Sequence, residues 1–137
     1  MTDIVNCPST LAEGFSTYSP KARRTLFGGR KISHLLDFNV DEFHTTGDIA
    51  EAMHRISVSG VQEKFPAVLK DSKIRIAGDD DRSTYILKPA PWDRTLVERK
   101  QIPANENLTM QIASQVFGIQ TAENAVCFTT GGEQVYV

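Results

Sequence analysis

Between Phe65 and Val137 the spacing of apolar residues changes twice, from every second residue to a helical repeat and back. Phe65, Ala67 and Leu69 alternate with Pro66, Val68 and Lys70, and Asp71 and Ser72 then turn the chain into a second alternating stretch, Lys73, Ile74, Arg75 and Ile76. Gly78, Asp79, Asp80 and Asp81 supply a longer polar turn before Thr84, Tyr85, Ile86, Leu87 and Lys88. This pattern predicts three adjacent strands in an antiparallel meander. Pro66 has no ladder donor, so it favours an edge strand or the first residues of a strand. From Pro103 the period lengthens: Leu108, Ile112, Gln115 and Val116 recur at helical spacing beside Glu106, Met110, Ala113 and Phe117, and Gly118 marks the stop. Ala125 to Phe128 and Gln134 to Val137, joined through Gly131 and Gly132, then predict a hairpin. The expected core includes Phe65, Ala67, Leu69, Ile74, Ile76, Ile86, Leu108, Ile112 and Val126.

The residues before this block are irregular, punctuated by Pro8, Gly14, Pro20, Gly28, Gly29 and Gly47. Short helices are expected from Pro20 to Phe27, with Ser19 as cap and proline in the first turn, and from Val40 to Phe43. The reading is an α+β fold, an antiparallel sheet with a packed helix, preceded by an irregular and helical leader over residues 1–54 wrapped on the block 55–137. A chain of 137 residues buries one real core, so one domain is the default.

No apolar run approaches the roughly 20 residues needed to cross a bilayer, and Met1, Thr2 and Asp3 do not begin a secretory signal. A cytoplasmic protein without membrane contact is therefore expected. Cys7 and Cys127 are too few and too far apart for a disulfide framework or a zinc pair, and Cys127 reads as a core thiol. His34, His44 and His54 have no regular spacing that suggests a metal site, and no metal is assigned to this chain. Charge is patterned: Lys21, Arg23, Arg24, Arg30 and Lys31 form a basic group, and Asp37, Asp41, Glu42, Asp48 and Glu51 an acidic one. The basic group suits either a solvated face or a surface for nucleic acid or an acidic partner.

Strand with a loop, strand, strand ending in lysine, helix carrying glutamate, two more strands: this is the element order of a protein-kinase small lobe. Phosphoryl transfer needs backbone donors over the terminal phosphates and a fixed cation beside them, held in place by a carboxylate. Lys88, at the end of "TYILK", is the candidate cation, and Glu106, in "ANENLTMQIA", its candidate orienter. Each has a plainer alternative, a solubilising strand lysine and a first-turn partner of the helix dipole. In "SVSG" a single glycine, Gly60, stands where the usual kinase glycine loop has three. Ser57 and Ser59 are either turn hydroxyls that satisfy local amides or part of a phosphate loop, in which they could themselves accept a phosphoryl group.

"SVSGVQEKFPAVL", "YILKPA" and "NENLTMQIASQVFGI" together resemble the opening half of the HipA-like serine/threonine kinases, toxin components of bacterial toxin–antitoxin pairs. More loosely, "GFSTYSPKARRTLFG" and the two-serine form "SVS" are similar to the compact HipT branch. The resemblance implies that Ser57, Val58, Ser59, Gly60, Val61, Gln62, Glu63 and Lys64 form an ATP-binding loop, autophosphorylated on Ser57 and Ser59. It implies that Lys88 contacts the nucleotide and that Glu106 lies on the helix packed against it.

By the same resemblance, catalytic residues and Mg2+ ligands belong to a large lobe beyond Val137, so this chain alone would be inactive. The acidic turn "GDDD" is not assigned as a magnesium site. A HipB-like antitoxin, a small HipS-like protein and an aminoacyl-tRNA synthetase substrate are the implied partners, with DNA contacted only through the antitoxin. The alternative from another functional class is a non-catalytic regulatory or interaction module. Trp92, between Pro91 and Asp93, is then either an interaction anchor or a packing residue between the third strand and the helix. If a large lobe normally covers this one, apolar residues on its exposed side should remain uncovered.

Overall fold

The computed structural model describes residues 3–39, 62–92 and 94–137. The expected helical turn from Val40 to Phe43, the loop residues Ser57, Val58, Ser59, Gly60 and Val61, and the histidines His44 and His54 lie outside the described residues.

The protein is a mixed α+β domain. Its elements follow the order α1 (Pro20–Phe27), β1 (Phe65–Lys70), β2 (Lys73–Ile76), β3 (Tyr85–Pro89), α2 (Ile102–Gln115), β4 (Val126–Phe128) and β5 (Gln134–Tyr136), with a 3-10 turn at Arg99–Gln101 leading into α2. All five strands form one antiparallel sheet in the order β2-β1-β3-β5-β4.

That order corrects the expected meander. β1 and β2 pair through the two-residue turn Asp71 and Ser72, whose φ angles of 50° and 60° give the left-handed geometry that a tight hairpin needs. The next connection, residues 77–84, is long enough to carry the chain past β1. Ala77 N–H donates to Pro66 O and Thr84 N–H to Ala67 O, and β3 pairs with the free side of β1, Phe65 opposite Leu87. β1 is consequently an interior strand. Pro66 is tolerated as its second residue, the other position its missing donor allows.

Alternation then sorts the side chains. Phe65, Ala67, Ile74, Leu87, Cys127 and Val135 are fully buried on the face covered by the leader, where they join Cys7, Tyr18, Ala22, Phe27, Ile32 and Leu36 in one core. Leu69 and Ile76 are partly buried against it, and Val126 is buried. α1 is seated as its sequence predicts: Ser19 Oγ accepts from Ala22 N–H at 3.2 Å, and Gly28 closes the helix at φ 59°. Tyr18 OH reaches Val126 O at 3.0 Å and Tyr85 OH reaches Leu26 O at 2.6 Å, which fastens leader to sheet. The outer edge of β4 is covered too, because Val126 N–H donates to Pro8 O and Phe128 N–H to His34 O.

Three expected core residues are not in the core. Ile86 is 47% exposed, since in the "YIL" run the strand turns Leu87, not Ile86, toward the leader. Leu108 and Ile112 are 46% and 42% exposed, because α2 buries Pro103 and Asn107 and so rotates the apolar stripe outward. Among the described residues no helix is long and apolar enough to cross a membrane.

Candidate functional site

The same alternation places Pro66, Val68, Ile86 and Lys88 on the face of the sheet away from the leader. Lys88 is opposite Tyr136 in the β3–β5 register, and its ammonium lies 5.1 Å from the centroid of that ring. α2 packs on β5 and β4, and Glu106 projects from it to form a hydrogen-bonded ion pair with Lys88. The two groups are 18 positions apart in sequence and keep 25% and 27% of their side chains accessible. The pair is thus partly desolvated while still open on one side, as a group that has to meet a ligand must be.

Both plainer alternatives are weakened by position. Lys88 is on the middle strand of five and not on an edge. The helix begins at Ile102, which leaves the first turn without an acidic residue and puts Glu106 beyond the reach of the dipole's strongest field. What fixes Glu106 is the seating of α2. Its neighbour Asn107 is buried and donates to Asn124 Oδ1 at 2.7 Å and to Ser9 O at 3.2 Å; Ser9 Oγ in turn donates to Asn124 O at 2.7 Å, and Gln111 Nε2 reaches Asn124 Oδ1 at 3.2 Å. Buried amides held by hydrogen bonds set the rotation of a helix more sharply than apolar contact does.

The described end of the expected loop lies beside the same strand end. Gln62 Nε2 donates to Pro89 O at 2.9 Å, and Glu63 Oε2 accepts from the Trp92 backbone N–H at 3.3 Å. Gln62 and Glu63 are thereby tied to the residues that follow Lys88, and Lys64 leads into β1. Trp92 is 44% exposed with the Arg94 guanidinium 5.3 Å from its ring, an arrangement at the surface and not a plug between β3 and α2. In the acidic turn, Asp81 bonds Lys70 at 2.7 Å and accepts from Gly78 N–H at 2.9 Å, so its carboxylate closes the turn.

Burial, and secondarily the Glu106 charge, push the Tyr136 hydroxyl up to about 12. Burial likewise raises the Cys127 thiol, which packs in the core and bonds Val135 O at 3.4 Å. Two features of this site escaped the sequence reading, the Tyr136 ring beneath Lys88 and the Asn107–Asn124 amide pair. A polar residue next to the candidate glutamate, at a position that breaks the apolar stripe, was the available signal for the second.

Chemically, the arrangement offers an oriented ammonium on the same strand face as the exposed Ile86, with a loop end anchored beside it. No protein-family model and no curated protein matches the chain.

Proposed function

We propose that this chain is the ATP-binding small lobe of a HipA- or HipT-like serine/threonine kinase. The observation that carries the reading is the contact between Lys88 on the third strand and Glu106 on the following helix, residues singled out by sequence order alone. In kinases a strand lysine held by a helix glutamate positions the phosphates of the nucleotide. Bound ATP would supply the phosphoryl group; the residues of this chain hold and orient it.

In this reading Lys88 neutralises phosphate charge and Glu106 keeps the ammonium from swinging into water. Tyr136 supports the lysine from below through its ring face. Ile86 offers apolar contact to the base, which accounts for an isoleucine left uncovered beside a cation. Gln62, Glu63 and Lys64 form the near end of the loop over the phosphates, and phosphorylation of Ser57 or Ser59 would add about two negative charges to that loop and oppose ATP binding. Mg2+ and the catalytic groups would come from residues beyond this chain. The substrate on this reading is an aminoacyl-tRNA synthetase, phosphorylated on serine, with a HipB-like antitoxin and a HipS-like protein as partners.

A second reading, a non-catalytic interaction module on the same fold, would use the uncovered Leu108, Ile112, Val116 and Phe117 on and after α2 as its contact surface. One experiment separates the two: ATP binding and synthetase phosphorylation by the complete gene product, with and without Lys88→Ala. Transfer abolished by the substitution in a folded protein supports the kinase. Transfer that is absent from the unsubstituted protein, or unchanged by the substitution, favours the module.

A further inference from the structure

The basic group of the leader has no part in the Lys88 site, and the fold gives it a definite setting. Arg23 of α1, Lys31 just after that helix and Lys73 at the start of β2 line one cleft of about 640 Å³. A cleft of this size is within the range of small-molecule sites. It lies at the β2 edge of the sheet, between α1 and the β1–β2 turn, and shares no residue with the Lys88–Glu106 pair.

Charge in the cleft is unbalanced. Asp71 lines it as well, but that carboxylate is 3.8 Å from Arg75, and Asp37 is shared between Arg75 at 3.1 Å and Lys73 at 3.7 Å. Arg75 and Asp37 lie outside the lining, so three cations, Arg23, Lys31 and Lys73, face one carboxylate, Asp71, an excess of two positive charges. Thr17, Ser33 and Ser72 add hydroxyls to the lining. Ser33 Oγ accepts from Leu35 N–H at 3.0 Å, which leaves its own proton to donate.

Arg23 and the two lysines bring this surplus charge to the wall of the cleft, where an oxyanion would meet it.

We propose that this cleft is a binding site for a phosphate monoester or for free phosphate, recognised as the dianion. Arginine supplies directional donors to phosphate oxygens, lysines supply charge, and hydroxyls complete the shell. The dianion matches the excess of two charges, whereas a phosphodiester, with one, does not.

The test is calorimetric titration of the full chain with inorganic phosphate and, in parallel, with glycerol 3-phosphate, repeated in a Lys88→Ala background so that the other site does not contribute. Saturable binding of either probe is expected. Comparable affinities identify the phosphoryl group alone as what is recognised; a clear preference for glycerol 3-phosphate identifies a monoester. Arg23→Gln should weaken binding about tenfold, and Lys31→Ala and Lys73→Ala each by several-fold. Should Arg23→Gln fail to fold, the two lysine variants, on accessible side chains, carry the test. Arg24→Ala, in the same basic run but outside the cleft, should change nothing. No binding of either probe at millimolar concentration overturns the proposal, and so does an Arg24→Ala effect as large as that of Lys31→Ala, which would mark diffuse attraction to a basic surface.

Discussion

Lys88 and Tyr136 face each other across the β3–β5 ladder, the ammonium 5.1 Å from the centre of a ring whose hydroxyl is itself beside the charge of Glu106. Burial first, and that carboxylate second, raise the hydroxyl to about 12, against about 10 for an unfolded tyrosine. Folding therefore favours the protonated form. The stability this contributes is complete below pH 10 and is lost as the pH rises through 12. Denaturant melts at about pH 9 and about pH 11.5 should show a loss for the wild type that is smaller in Tyr136→Phe. Tyr18, Tyr85 and Cys127 are shifted in the same direction by burial, so the substitution removes part of the alkaline loss and not all of it. An alkaline absorbance titration in which Tyr136→Phe removes a tyrosine ionising at the ordinary value would contradict this account of the site.

The Lys88–Glu106 pair should matter far more to ligand binding than to folding. Each side chain is about a quarter exposed, and ion pairs open to water contribute roughly 1 kcal/mol or less. Lys88→Ala and Glu106→Ala are expected to lower the unfolding free energy by no more than about that amount. Nucleotide affinity of the complete protein should fall at least about tenfold for Lys88→Ala, and the double variant should be little worse than either single one, because the two act as a unit. Additive losses across that cycle would show that Glu106 does not orient Lys88.

How much of this was legible in the sequence depended on whether the signal was local. The alternation around Phe65 and Ile74, the Ser19 cap before Pro20, the stop at Gly118 and the hairpin through Gly131 and Gly132 are all decided within a few residues, and the structure forms each of them. Lys88 and Glu106 were found by their order along the chain, and their contact follows once α2 lies on β5. The neighbour of β3 was not readable, since pairing with β1 or with β2 satisfies the same alternation. Ile86 and Leu87 are adjacent and equally apolar, so nothing in a five-residue strand told which one faces the leader. α2 misled for a different reason: an apolar stripe was assumed to point inward, yet its buried positions are Pro103 and Asn107, held by hydrogen bonds to Ser9 and Asn124 that span the fold.

The outward stripe gives a surface prediction. Ile112 and Leu108 are over two-fifths exposed, and Val116 and Phe117 more so, which makes a contiguous apolar strip on and just after α2. Ile112→Lys should alter stability by only about 0.5 kcal/mol, as substitutions at accessible positions do. It should also reduce concentration-dependent self-association in sedimentation velocity. A large drop in the melting temperature would mean that Ile112 is packed after all.

The amide pair beneath α2 should carry the opposite balance. Asn107 is 2% exposed, and replacing it with leucine removes the donor to Asn124 Oδ1 and Ser9 O while bringing branched apolar bulk to a polar pocket. Asn124 Oδ1 keeps only the longer bond from Gln111, and Ser9 O loses its partner from α2. Acceptors left unsatisfied in this way cost about 1 to 3 kcal/mol, more than either half of the Lys88–Glu106 pair. Because Asn107 adjoins Glu106, the change should also reach the site: the helix is free to turn toward burying Leu108, and the glutamate turns with it. Asn107→Leu is therefore expected to lower both the unfolding free energy and nucleotide affinity in the complete protein, although Asn107 touches neither Lys88 nor the proposed ligand surface. Pairing it with Glu106→Ala distinguishes positioning from general loss of stability. If Asn107 acts through Glu106, its effect on affinity should largely vanish once the carboxylate is gone, while its effect on unfolding persists; an affinity loss that survives unchanged would assign Asn107 to the framework alone.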